Sequence, residues 1–247
     1  MRIYKDIDYV GYGHPMQKLN IYLPDDGCFH VYVHLHGGGL EVGSRDVPED
    51  VAEEFCDNGV ALVSVEYRMY PTAVYPEFIC DAAAAVAWSY KNMADYGKVN
   101  KFCVGGSSAG GYLSMMLCFD KKYLAPYGID PVNFGGFVHD AGQPTAHFNV
   151  LRERGIDSRR VIIDESAPLY HIGTSPEYPP MLFIVADQDM PNRYEQTMLT
   201  ISTMKHFGYD MSKVEHKVMH ATHTAYYNEE GKHLYAELVC NYIKSKR

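Results

Sequence analysis

The chain has 247 residues, of which 47% are hydrophobic and 21% charged, and its formal net charge is −9. That length and apolar content can bury a full core and ask for no more than one domain, while the acidic balance disfavours nucleic acid or an anionic membrane as a principal partner, since both select a positive surface. No window holds the roughly 20 apolar residues that a membrane-spanning helix needs, and residues 1–6 begin no stretch suited to a signal peptide, so a cytoplasmic location is expected.

In chain order, residues 6–10 and 19–23 alternate apolar with polar positions and are divided by Gly11, Gly13 and Pro15, which predicts an antiparallel hairpin at a sheet edge. Continuous apolar runs follow at 31–35, 60–65, 102–104, 134–138 and 181–186. Runs without alternation belong to strands buried on both faces, as in a parallel sheet. Residues 78–95 predict a helix, with Ile79, Ala82, Ala83, Val86, Tyr90 and Met93 at three- and four-residue steps and Gly97 as its C-terminal cap. Residues 193–207 predict a second helix. A last strand at 214–219 precedes a third helix from about residue 229 to 242, with Leu234, Leu238 and Ile243 on one face. The segment 141–173 is rich in glycine and proline around a charged middle, and is expected to run over the strand ends as a pocket wall or small lid. The alternation predicts an α/β fold, a mostly parallel eight-stranded sheet with helices on both faces. The six cysteines lie far apart with no Cys-x-x-Cys, and are expected to be small buried hydrophobes, not a disulfide framework.

The chemistry concentrates at a few points. Gly106-Ser107-Ser108-Ala109-Gly110 fits G-x-S-x-G between an apolar run and a helix-like run, the setting of a strand-to-helix turn that pushes a serine hydroxyl out of a sheet. Ser108 is the candidate nucleophile. Upstream, the strand at 31–35 runs into His36-Gly37-Gly38-Gly39, where unshielded N–H groups can stabilise the negative oxygen formed when an ester carbonyl is attacked. Gly38 and Gly39 are assigned as donors, with the N–H of Ala109 as the third. An acid and a base should follow in that order. Asp187 and Asp189 both sit just past the strand at 181–186, and His220 and His223 follow the strand at 214–219. His223 is the expected base, because it lies deeper in its loop, whereas His220 abuts the strand. A competing arrangement is a metal site on His216, His220 and His223, but the local sequence is β-like and no H-E-x-x-H is present.

Taken together, these residues resemble the α/β-hydrolase superfamily, and within it the His-Gly-Gly-Gly carboxylesterases related to hormone-sensitive lipase and bacterial acetyl esterases. Glu66-Tyr67-Arg68 with Pro71, Tyr75-Pro76 and Asp81 is similar to that family's tyrosine-arginine segment, and Ser166-Ala167-Pro168-Leu169 to its serine-proline element. Ala186-x-x-Asp189 resembles its small-x-x-Asp turn, which favours Asp189 over Asp187. Two departures stand out: Ser107 occupies a place where relatives often carry an acid, and only 35 residues precede His36, too few for the family's helical cap. The resemblance implies a Ser108–His223–Asp189 serine esterase without metal or organic cofactor. A capless pocket further implies a short acyl group, acetyl above all, on a bulky alcohol such as a carbohydrate. An amidase or peptidase with the same triad is the alternative.

Overall fold

The computed structural model describes residues 1–227 and 233–245. Its centre is one eight-stranded sheet built from β1 (Arg2–Asp8), β2 (Lys18–Leu23), β3 (Cys28–Leu35), β4 (Val60–Val65), β5 (Lys98–Ser107), β6 (Gly136–Asp140), β7 (Met181–Gln188) and β8 (Val214–Thr222). The spatial order is β1-β2-β4-β3-β5-β6-β7-β8, with β1 and β2 antiparallel to their neighbours and every pairing from β4 to β8 parallel. The mostly parallel sheet and its edge hairpin are as the sequence predicts. Asp8 closes the hairpin by accepting from the backbone N–H groups of Val10, Gly11 and Gly13.

Alternate residues of each central strand feed two cores. Val31, Val33, Leu35, Val63 and Val104 pack on one face against α2 (Glu77–Asn92) and α3 (Ala109–Phe119). Tyr32, Leu62, Cys103, Val138 and Ile184 pack on the other against α1 (Glu49–Asp57) and α6 (Leu234–Ser245). Both sets are apolar because both faces are covered, so the strands read as unbroken runs. The remaining helices are α4 (Phe148–Glu153), in the β6–β7 connection, and α5 (Arg193–His206). None of the described helices is long and apolar enough to cross a membrane.

The structure revises several details. The first predicted helix ends at Asn92 and tightens into a 3-10 turn, Met93–Tyr96, before Gly97, and Tyr90 on its expected buried stripe is exposed. The third predicted helix starts at Leu234; residues 229–232 lie outside the described residues. Its buried stripe is Tyr235, Val239 and Ile243, with Leu234 and Leu238 only partly covered. Tyr235 can be buried because its hydroxyl meets that of Tyr32 at 2.7 Å. The helix α1 has no counterpart in the sequence reading, since its acidic surface leaves only Ala52, Phe55 and Cys56 to mark an inner face. All six cysteines are free, but Cys28 and Cys80 are exposed, contrary to the expectation of burial.

Candidate active site

Ser108 stands alone between β5 and α3, at φ 54° and ψ −112°. An L-residue adopts such angles only when its surroundings impose them. Here the Ser108 N–H donates to the Asp140 carbonyl at 2.8 Å, and the turn is clamped against β3 from the other side. A Cβ at Gly110 would lie 1.8 Å from the Leu35 carbonyl oxygen, so only glycine lets α3 leave the sheet at this angle. The hydroxyl does not cap its own helix. It faces His223.

The two aspartates and two histidines past the strand ends sort into two pairs, and the chosen Asp189 and His223 form one of them. His223 Nε2 lies 2.9 Å from Ser108 Oγ, and His223 Nδ1 lies 2.5 Å from Asp189 Oδ1. A carboxylate can only accept, so Nδ1–H donates to Asp189 and the Nε2 lone pair is left to accept from the serine hydroxyl. The Asp189 side chain is fully covered. Burial pushes its carboxyl up, yet the hydrogen bond from His223, the imidazole's charge and the Met190 N–H hold it below the usual carboxylate value. His220 instead meets Asp187 at 2.6 Å, away from the serine. Since β8 is a strand, His216 and His220 are about 13 Å apart along it, too far to share an ion.

The loop after β3 packs directly on the nucleophile turn. A Cβ at Gly37 would come within 3.3 Å of Ser108 Cβ. At Gly38 the backbone turns at φ 109°, and a Cβ there would lie 1.8 Å from the Val42 carbonyl oxygen. The Gly38 carbonyl accepts from Glu41 and Val42, which closes the loop into a tight turn, and Gly38 and Gly39 line the same cavity as Ser108. Ala109 opens α3, whose first N–H groups have no partner within the helix. The geometry therefore brings Gly38, Gly39 and Ala109 to the surroundings of Ser108.

This loop is held from behind. His36 Nε2 meets Glu66 Oε1 at 2.9 Å, the His36 ring stacks on Tyr67 at 4.4 Å, and the Tyr67 hydroxyl donates to the His36 carbonyl at 2.7 Å. Arg68 then grips the buried Asp81 with two bonds of 2.8 and 2.9 Å. The segment 66–81 thus ties the loop to α2. From the β6–β7 connection, Asn149 donates to the Gly39 carbonyl.

A cavity of about 560 Å³ opens beside Ser108 and His223 and runs between the sheet and the layer of α1 and α6. Phe55, Leu62, Val51 and Ala236 form its apolar walls, Phe148 of α4 closes one side, and His34 faces in from β3. Burial lowers the pKa of His34 to about 3, so its imidazole is neutral. Helix α1 and His34 were missed in the sequence, because a cavity wall carries no motif. Also missed was a cluster behind the nucleophile, in which Tyr226 and Tyr227 donate to buried Asp140. No spacing pattern announces it.

Comparison with known proteins agrees with this architecture. A BD-FAE family model matches residues 19–133, and a prolyl oligopeptidase family model matches residues 77–245. The chain is similar to the carboxylic ester hydrolase LipN of Mycobacterium tuberculosis, 34% identical over 104 residues that cover 41% of this chain and 28% of LipN. It is also similar to the carboxylesterase NlhH of that organism, 38% identical over 89 residues that cover 35% of this chain and 28% of NlhH. The chain thus spans less than a third of the length of these relatives. Among solved structures, a propionate-bound esterase from Thermogutta terrifontis aligns with a TM-score of 0.75 at 20% identity, covering 98% of this chain and 93% of that one. A truncated carbohydrate esterase from gut microbiota aligns with a TM-score of 0.77 at 16% identity, covering 99% and 95%. At such identities the likeness is one of fold. With more than half of its residues matched by one family model and an eight-stranded sheet of this topology, the chain belongs to the prolyl oligopeptidase family within the α/β-hydrolase superfamily.

Proposed function

We propose that the protein is a serine carboxylesterase that hydrolyses short-chain acyl esters, acetyl esters first and carbohydrate esters among them, through an acyl-serine intermediate. The observation that carries this reading is the unbroken chain from Ser108 Oγ through His223 to Asp189, at 2.9 and 2.5 Å. In the cycle, His223 Nε2 takes the Ser108 proton as Oγ attacks the carbonyl carbon. The N–H groups of Gly38, Gly39 and Ala109 receive the oxyanion. The tetrahedral species collapses as His223 returns its proton to the departing alcohol. A water then gives a proton to the same nitrogen, attacks the acyl-serine and frees the acid. Asp189 holds the imidazole tautomer and offsets its positive charge. No step draws on a metal or organic cofactor, and all three residues come from one sheet, so one catalytic domain suffices.

The names of LipN and NlhH support ester hydrolysis, and the gut-microbiota structure supports a carbohydrate alcohol. A panel of p-nitrophenyl esters from acetate to octanoate, with acetylated xylan and a simple amide, tests the reading. A preference for acetate and release of acetate from xylan are expected, both abolished in Ser108→Ala. The cavity has room for more than an acetyl group, and an octanoate optimum would overturn the short-acyl part while leaving the esterase intact. The prolyl oligopeptidase match favours a second reading as an amidase or peptidase. Amide cleavage at a rate comparable to acetate release would establish it.

A further inference from the structure

The carboxylate of Asp140 takes no part in the cycle above, yet it sits at its mechanical centre. Asp140 ends β6, is fully buried, and stands opposite Ser107 in the β5–β6 ladder. Its backbone carbonyl accepts from the Ser108 N–H at 2.8 Å. Its side chain accepts from Tyr226 at Oδ1 and from Tyr227 at Oδ2. The Tyr227 hydroxyl also meets Ser107 Oγ. These tyrosines follow His223 by three and four residues, in the 3-10 turn Ala225–Tyr227. On its other side the His223 loop hangs from β8, the exposed edge strand of the sheet.

We infer that Asp140 is a positioning residue: one side chain, bonded to both tyrosines, fixes the loop of His223 over the serine whose amide the same residue holds. Without the tyrosines the loop would be tied only to an edge strand and, through His223, to Asp189, which fixes the ring's tautomer but not the loop backbone; a displacement of about an ångström costs about a hundredfold in rate. Two hydroxyls on two carboxylate oxygens remove that freedom. This role rests on the esterase reading, since it acts through His223.

The surroundings make the clasp sensitive to charge. Around Asp140 stand Ser107 on β5, Tyr32 on β3, Tyr235 on α6, the two tyrosines and His223 of the loop, and Arg193 of α5. Burial raises the Asp140 pKa to about 6, against the pull of the hydroxyls and of His223. A carboxyl whose folded pKa lies above its unfolded value is protonated more readily in the folded state. Its ionisation therefore costs stability as pH rises from the ordinary carboxylate range through about 6, and no more above that. Activity and stability should respond to it in opposite directions.

The test is Asp140→Asn, with Tyr227→Phe as the second variant, assayed on p-nitrophenyl acetate across pH and by thermal melting. Asp140→Asn should lower kcat about 10- to 100-fold at pH 8 with KM changed less than about threefold, while its Tm at pH 8 is no lower than that of the wild type. Tyr227→Phe leaves the carboxylate short of one donor and should move the acidic limb of the kcat profile to higher pH. That shift should vanish when it is combined with Asp140→Asn. A kcat within about twofold of the wild type in Asp140→Asn, or in Tyr227→Phe should the first variant fail to fold, overturns the inference. So does a loss of kcat that merely tracks a loss of Tm with the acidic limb unmoved. Esterase activity that survives Ser108→Ala overturns the proposed function instead.

Discussion

Two carboxylate–imidazole pairs stand side by side at the ends of β7 and β8, and they differ in almost nothing that a local inspection would find. Asp187 meets His220 at 2.6 Å, and Asp189 meets His223 at 2.5 Å. What separates them is cover. The side chains of Asp189 and His223 are 0% and 24% exposed, those of Asp187 and His220 36% and 86%. An exposed pair exchanges water for a partner at little net gain and is screened by salt. A buried pair keeps its electrostatics at close to full strength, and only this one reaches a serine. A short hydrogen bond between an acid and a histidine therefore says little by itself; burial and a third group decide what it can do.

The contrast between the pairs predicts mutant phenotypes of very different size. Ser108→Ala should lower ester turnover by at least about a thousandfold, measured on p-nitrophenyl acetate, because it removes the group that gives the buried pair its purpose. Asp189→Asn should cost about a hundredfold or more, since an amide can leave the imidazole in the wrong tautomer, whereas Asp187→Asn should change turnover less than about twofold. Equal losses in the two variants would erase the distinction between the buried and the exposed pair.

Titration sharpens it further. The hydrogen bond and charge of Asp187 raise the His220 pKa above the ordinary imidazole value, and His220 in turn lowers that of Asp187. The stability from His220 is thus fully present below the ordinary imidazole pKa and lost as pH rises through the raised one. That from Asp187 is lost as pH falls through its lowered value. Following the His220 ring by NMR should show its pKa return to the ordinary value in Asp187→Asn, and approach it in high salt, with the melting temperature unchanged within about a degree. The smallest effect is expected from chelation. With His220 and His223 each engaged by an aspartate, treatment with EDTA should leave esterase activity unaltered, and a loss restored by added zinc would revive the histidine-series reading.

Much of this is legible in the sequence. The strands at 60–65 and 181–186 announce themselves because a strand covered on both faces must be apolar at every position. Ser108 is legible because a nucleophile turn has no room for side chains at its flanking glycines, so steric need writes itself as a motif. Helix α1 was illegible, for its buried face is three residues wide and its remainder is acidic except for Val51. The stripe on α6 was misread because leucine is the more apolar residue, while Tyr235 satisfies its hydroxyl on a strand 203 positions away. The link from Glu66 to His36 follows the same rule: the segment could be noticed in the chain, but its purpose, holding a glycine loop in place, is a contact across 30 residues.

What the sequence alone determined was the kind of fold and the inventory of reactive groups, because periodicity and tight turns are local demands that each residue must meet where it stands. That Asp187 pairs with His220 in the open, which tyrosines brace the loop, and how deep a cavity opens beneath the serine were decided only by the tertiary structure. Those are matters of burial and distance between elements far apart in the chain. Two aspartates two residues apart acquire different chemistry only when one of them is taken out of water.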